Sequence, residues 1–278
     1  MNDKIIVTHL NPDLDAISSV WLLKKFAADF KEAKVCFVPA GQTYQNLKVD
    51  ENENIVHVDT GMGKFDHHQL RTKTCAAELV FNYLKSKFSY LKKDKALIHL
   101  IKVIRDIDNF NDCLWPEPTA DYFYFCLDKI LDGLKMAGKI DDQGLVKTGC
   151  FLLDGVYQSL KIRFKAQEDL EGGYQFSSLW GRAIGVLSSN NKVLKLGLKM
   201  GYVLVVQKDG DTEQIRIKAR PDSQVDLTKT KERLVKLDPK ATWFLHQNKK
   251  ILLNGSSKNP KMKPSRLSLK KVIEILSS

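Results

Sequence analysis

Two hydrophobic periods organise the chain. Short β-branched runs at residues 5–7, 34–39 and 55–58 are bounded by polar residues and predict buried strands. Between the first two, Ile17, Val20, Trp21, Leu23 and Phe26 or Ala27 fall at helical spacing, which predicts a helix over 16–30. A further helix is expected near 42–47, so the first 60 residues alternate as a parallel sheet with crossover helices requires. Amphipathic helices are expected at 74–87 and 94–104, followed by a mainly helical stretch from 121 to about 170. In that stretch Tyr122, Phe123, Tyr124 and Phe125 are expected to fill core rather than stack on a base. Gly172 and Gly173 break the run.

Beyond the glycines the period shortens again. Strands are expected at 182–188, 202–207 and 214–219, with a helix at 193–200 and an Asp-Gly hairpin turn at 208–211. A basic helix at 227–237, a second hairpin from 243–246 and 251–253, and a helix at 267–276 close the chain. The expected fold class is α/β, with an N-terminal parallel-sheet domain over 1–140, a helical connector over 141–172, and a smaller α+β domain over 173–278. No internal repeat or low-complexity tract interrupts it.

Chemistry gathers at the ends of two predicted strands. The stretch IVHVDTGMGKFDHH at 55–68 places Asp59 where a strand ends and follows it with a glycine-bearing loop carrying Asp66, His67 and His68. In open α/β sheets ligands bind outside the carboxyl ends of the strands. Carboxylates combined with imidazoles suit a first-row divalent ion better than calcium or a structural zinc. The strand at 5–7 likewise leads into His9, Asp13 and Asp15. Capping of the next helix would occupy one of these aspartates and leaves the other, with the histidine, to be explained. Cys75, near the two histidines, is the weaker alternative as a nucleophile.

These stretches, THLNPDLDA at 8–16 and DTGMGKFDHH at 59–68, resemble the DHH phosphoesterases. The resemblance implies a DHH domain followed by a DHH-associated domain, and a site for two divalent metal ions, manganese with magnesium as the alternative. It places His9, Asp13 and Asp59 on one metal and Asp15, Asp59, His67 and Asp106 on the other, so that Asp59 bridges. Asp108 is the rival to Asp106 within VIRDIDNF. It further implies that His68 faces the substrate phosphate and that Asp66 stands behind the ligands, making His68, Asp59 and Asp66 the catalytic set. The family's second domain carries a glycine-containing substrate loop. The corresponding candidate is Asn254, Gly255, Ser256, Ser257 and Lys258, with Arg220 and His246, although the family's GGGH form is absent.

Charge sharpens this picture. From Lys161 onward there are 24 Lys and Arg against 11 Asp and Glu, a net +13, leaving −2 for residues 1–160. An acidic half able to hold cations joined to a basic half suits a small phosphorylated substrate, a nucleotide or short oligonucleotide. Rival readings are a nucleotide- or nucleic-acid-binding protein that keeps the fold without turnover, an inorganic pyrophosphatase and a single-strand exonuclease. The five scattered cysteines include no CxxC pair, arguing against a disulfide framework or a zinc site. No apolar run approaches the roughly 20 residues of a membrane span, and the N-terminus has no signal-peptide pattern. A cytoplasmic protein without a membrane partner is therefore expected, and a homodimer stays open.

Overall fold

Strand β1 (Ile5–His9) is followed by helix α1 (Leu14–Phe26), then by β2 (Lys34–Val38) and β3 (Ile55–His57). Both later strands pair with β1 in parallel, giving the order β2-β1-β3. The central strand buries Ile6 and Val7 completely. This computed structural model describes residues 4–138, 140–256 and 258–278. The chain divides into two units, Met1–Leu160 and Lys161–Ser278, and is of the α/β class.

α1 is buried along its first three turns, from Leu14 to Leu23, which is why its sequence is apolar on nearly every side. It packs against α2 (Ala76–Lys87), α3 (Lys95–Asp108) and α4 (Leu127–Met136). Close approach is required where helix α5 (Asp142–Glu171) crosses it: a Cβ on Gly149 would stand 2.6 Å from Cγ2 of Ile17. α5 runs across the division between the units.

Three sequence expectations change in this unit. The helix expected at 42–47 is a single 3-10 turn, Tyr44–Asn46, because Gln45 (φ 52°) and Asn46 (φ 58°) adopt left-handed backbone. α3 continues one turn past residue 104, so Asp106 and Asp108 lie on a helix and not in a turn. The aromatic run does not fill core. Residues 110–126 hold only short 3-10 turns, Asn111–Leu114 and Asp121–Phe125, which have no face long enough to bury consecutive rings. Phe123 packs on Trp115, whereas Tyr122, Tyr124 and Phe125 are exposed.

The second unit is built on a six-stranded mixed sheet of order β4-β5-β6-β7-β9-β8. Its strands are β4 (Tyr174–Ser178), β5 (Gly181–Leu187), β6 (Leu204–Lys208), β7 (Ile215–Ala219), β8 (Phe244–Leu245) and β9 (Ile251–Leu253). Helix α6 (Lys192–Lys199) makes the crossover between parallel β5 and β6. Helices α7 (Thr228–Leu237) and α8 (Leu269–Ser277) bury Leu234, Val272 and Leu276 in one core with Leu204, Val206 and Ile217. Strand β4 carries mostly polar, exposed residues at the sheet edge, so its pattern gave no signal. Among the described residues, no helix is long and apolar enough to cross a membrane.

Gly149→Val should destabilise the first unit by about 1–3 kcal/mol, because the new side chain must displace Ile17 from a packed core. Urea unfolding of the variant and the parent measures it. Equal midpoints would mean that α1 and α5 do not meet as described.

Candidate metal centre

Parallel pairing brings the carboxyl ends of β1 and β3 together beside one another. His9 ends β1, and its Nδ1–H donates to the Leu10 carbonyl at 2.8 Å, which turns Nε2 toward Asp59. Nε2 lies 3.2 Å from Asp59 Oδ2. On the other side of the same carboxylate, His67 Nε2 is 3.3 Å from Oδ1. Asp59 is 3 % exposed, and Oδ1 has no hydrogen-bond partner among the described residues. Its backbone is left-handed at φ 56°, held by donation from its N–H to the Phe65 carbonyl. A non-glycine residue fixed in this region stores strain that the surrounding loop must hold in place.

The loop is closed from within by Asp66, which is 1 % exposed. Its Oδ2 accepts from the Met62 amide at 2.7 Å, and Oδ1 accepts from the amide and the Nδ1–H of His68 at 3.0 and 2.7 Å. His68 is thereby oriented with Nε2 outward, and its side chain is 58 % exposed. Gly61 takes φ 80° in the same turn, a conformation that favours glycine.

Helix termini position the remaining carboxylates. Asp13 caps α1, accepting from the Ala16 amide at 3.0 Å. Asp15 is buried and reaches across to the start of α2, accepting from the amides of Ala76 at 2.7 Å and Ala77 at 2.8 Å. Asp108, in the last turn of α3, stands 3.7 Å from His67 Nε2, and Asp15 stands 3.8 Å from it. Among the described residues, Asp108 belongs to one of the groups able to hold a metal and Asp106 to none. Two residues apart on a helix, side chains point about 200° apart, so only one of the pair can face the site.

Three overlapping ligand groups result: His9, Asp13 and Asp59; Asp15, His67 and Asp108; and Asp59, His67 and His68. Burial would lower the His9 pKa, yet the bond to Asp59 and the neighbouring carboxylates hold it up at about 9. The Asp59 contact likewise raises His67 to about 9. Burial would raise Asp59, but the two imidazoles hold it down at about 2. Burial and then the Asp59 and Asp108 charges push Asp15 well above the carboxylate range, and burial lifts Asp108 to about 6. Neutral imidazole Nε2 and carboxylate oxygen are both acceptors, so each 3.2–3.3 Å contact needs a proton or a cation between its atoms. That requirement, with the mixed nitrogen and oxygen donors, fits a divalent metal. Cys75 is buried, and burial pushes its thiol far up, so it does not serve as a nucleophile.

The second-unit candidates do not gather in one place. Pairing of Lys218 with Ile251 puts Arg220 and His246 near one end of strands β7 to β9, whereas Asn254 follows the opposite end beside Ile215. Arg220 is paired with Asp222 at 2.5 Å, and His246 lies exposed in a turn, its Nδ1 accepting from the Asn248 amide. Asn254 is fully buried and braces the fold, bonding to the carbonyls of Thr242 and Lys263 and to the Ser265 amide. Its side chain is thus not free for substrate. Gly255 is buried, Ser256 bridges to Asn259, and Lys258 is exposed; Ser257 lies outside the described residues. Sequence reasoning missed Arg216, 8 % exposed beneath this loop and held by neutral acceptors: the Gly255 carbonyl at 3.2 Å and the Asn191 and Gln214 side chains. An arginine alternating with apolar residues in IRIKA was the available signal.

A family model described as ChrB, C-terminal domain, matches residues 6–160, more than half of the chain. The chain belongs to the ChrB C-terminal domain family. The ChrB match takes in every residue of the three ligand groups and ends where the two units divide. DHH is therefore not the family that this match assigns. Solved structures similar to the chain include an uncharacterized protein from Helicobacter pylori G27, at 12 % identity over 99 % of both chains with a TM-score of 0.28. Also similar are the DHH domain of a member of the s1p family of ribosomal proteins, at 14 % over 99 % of this chain and 85 % of that one, TM-score 0.31, and an exopolyphosphatase-related protein from Bacteroides fragilis, at 11 % over 99 % and 90 %, TM-score 0.27. No curated protein matches in sequence.

Within the ChrB domain, Asp108→Asn should lower divalent-metal stoichiometry and Asp106→Asn should leave it unchanged, as measured by elemental analysis after dialysis against Mn2+. The opposite order would restore Asp106 to the site. Metal binding should also release protons at pH 7–8, since His9 and His67 are protonated below about 9 in the metal-free chain. The sign for stability is opposite in the metal-free chain. Raised histidine pKa values stabilise it fully below about 6.5, and that contribution is lost as pH rises through about 9. Calorimetry in buffers of different ionisation enthalpy and melting against pH measure the two effects.

Proposed function

We propose that the chain is a metal-dependent phosphoesterase acting on a small nucleotide-type phosphodiester or phosphomonoester. The observation carrying this reading is the buried Asp59 carboxylate, whose two oxygens face two imidazoles on opposite sides at 3.2 and 3.3 Å. One carboxylate can thereby serve two cations. His9, Asp13 and Asp59 would hold the first, and Asp15, His67, Asp108 and Asp59 the second, with manganese favoured over magnesium by the imidazole ligands. When bound, such a pair supplies a nucleophile at neutral pH and positive charge opposite the phosphoryl oxygens.

The chain's own residues do the rest. Asp66 fixes the His68 ring through Nδ1 and leaves Nε2 to donate to a phosphoryl oxygen as negative charge builds there. Asp15, anchored by two backbone amides at the start of α2, keeps its carboxylate in one orientation, and the Leu10 carbonyl does the same for His9. The strained turn at Asp59 is held by Phe65, so the reacting geometry is set before substrate arrives. In the second unit, Gly255, Ser256 and Lys258 are the proposed anion contacts, with Arg216 bonded to the Gly255 carbonyl; Ser257, also a candidate, lies outside the described residues. Arg220 and His246 lie at the other end of the strands, and Asn254 acts as a brace.

A Mn2+-dependent hydrolysis screen over a short oligonucleotide, a cyclic dinucleotide, a nucleoside bisphosphate and pyrophosphate tests the reading. Turnover of a nucleotide ester, abolished by Asp59→Ala, is the expected result. Turnover of none would favour a binding protein, and turnover of pyrophosphate alone a pyrophosphatase. His68→Ala should keep both metals while lowering kcat by about a hundredfold or more. Loss of a metal would make His68 a ligand.

A further inference from the structure

Away from the metal centre, positive charge in the first unit gathers on two neighbouring helices. Residues 73–105 hold eight Lys and Arg against two Asp and Glu, although residues 1–160 as a whole carry −2. Glu78, Phe81 and Lys85 share one face of α2 at i, i+3 and i+7, and Ile98, Lys102 and Arg105 share one face of α3 at i, i+4 and i+7. These faces line a common cavity of about 590 Å3, to which Lys92 of the connecting turn also contributes. None of its lining residues belongs to the three ligand groups. Two of the charged ends are located by their partners. Lys85 Nζ rests over the Phe81 ring, 4.5 Å from its centroid, and Arg105 Nη1 donates to Glu78 Oε1 at 2.8 Å; Phe81 and Glu78 themselves line the cavity. Among the described residues, Arg105 is the one cation of the four that is paired with a carboxylate. Phe81 and Ile101, each 3 % exposed, give the cavity an apolar wall. A cleft of one charge sign against a low-dielectric wall concentrates its field, and an anion seated there relieves the repulsion among the cations.

We propose that this cavity is a second anion site, independent of divalent metal, that takes a linear polyphosphoryl group such as inorganic tripolyphosphate or the triphosphate of a nucleotide. Lys102 and Arg105 are three residues apart, about 4.5 Å along the axis of α3, and Lys85 lines the same cavity from α2. A single phosphate is too small to contact all of these groups, whereas a chain of three phosphates extends from one to the next. Each lysine brings three N–H donors, and Arg105 keeps Nε and Nη2 after its bond to Glu78. Asn82, exposed at the rim, adds a neutral amide donor. A nucleic-acid strand fits less well. Tyr83 and Tyr90, the exposed rings of this segment, do not line the cavity, and Phe81, which does, is covered by Lys85. Such a strand would find phosphate contacts there without a ring for its bases to stack on.

Titration calorimetry of the full chain in EDTA, which strips metal from protein and ligand alike, tests the proposal. The probes are tripolyphosphate, adenosine 5′-triphosphate, orthophosphate and a short single-stranded oligonucleotide. Tripolyphosphate and adenosine 5′-triphosphate should each bind one to a chain with similar affinity, and orthophosphate roughly tenfold or more weakly, because it forgoes at least one charge-assisted contact. Lys85→Ala with Lys102→Ala should weaken tripolyphosphate roughly tenfold or more, and Lys85→Arg with Lys102→Arg should retain it. Asp59→Ala, and Lys229→Ala with Lys231→Ala on α7, should bind it like the parent, which separates this cavity from the metal centre and from the basic second unit. Should the alanine pair melt lower than the parent, Lys102→Glu alone carries the test, since Lys102 is exposed on α3 and its reversal should give at least the same loss. Unchanged affinity in these variants, or orthophosphate bound as tightly as tripolyphosphate, overturns the site. An oligonucleotide held more tightly than tripolyphosphate, with the same lysine dependence, overturns the small-anion assignment and makes the groove a strand-binding face. With no metal present, none of these results depends on the phosphoesterase reading.

Discussion

A carboxylate buried between two imidazoles governs the first unit. Asp59 is 3 % exposed, and each of its oxygens faces a ring nitrogen. Taking an unpaired carboxylate out of water costs several kcal/mol or more, so the arrangement is stable only with positive charge on both sides. In the metal-free chain that charge is a proton on each histidine, and both pKa values rise to about 9 in consequence. Asp13, Asp15 and Asp108 crowd the same space and add repulsion that protons on two rings offset only in part. Divalent cations would answer the whole set at once, and the electrostatics and the donor types both support the proposed metal site.

The rest of the unit can be understood as keeping these groups in place. Parallel pairing sets the ends of β1 and β3 side by side, so residues 50 positions apart come within hydrogen-bonding distance. Backbone amides at the starts of α1 and α2 anchor Asp13 and Asp15, and a carbonyl anchors His9. Asp66 is in none of the ligand groups found among the described residues, yet it ties Met62 to His68 and so shapes the loop. Each positioning bond is local to a strand end or helix terminus, where unsatisfied backbone groups are available.

Much of this was legible in the sequence because the signals are short-range. Alternating β-branched runs and helical periods gave the parallel sheet, and His9, Asp13, Asp15, Asp59 and His67 stood out as donors following strands. Asp108 was not separable from Asp106, since the choice depends on α3 continuing one more turn and on the face it turns inward. The ring-rich segment after it was misread because aromatic composition signals burial only where a regular element provides a face, and here there are two short turns. Asn254 and Arg220 looked available for the same reason: their partners Ser265 and Asp222 are fixed by tertiary and turn geometry that a one-dimensional pattern does not carry. The ChrB family match covers the unit whose site was readable and leaves the second unit to its own chemistry.

Whether Asp59 joins two cations is the point on which the account rests. Manganese titration of the metal-free full chain, followed by electron paramagnetic resonance, addresses it without reference to any substrate. Two equivalents bound with an exchange-coupled spectrum, replaced by an uncoupled signal in Asp59→Asn, is the expected result. A single isolated ion, or no ion held at all by the native chain, would contradict it.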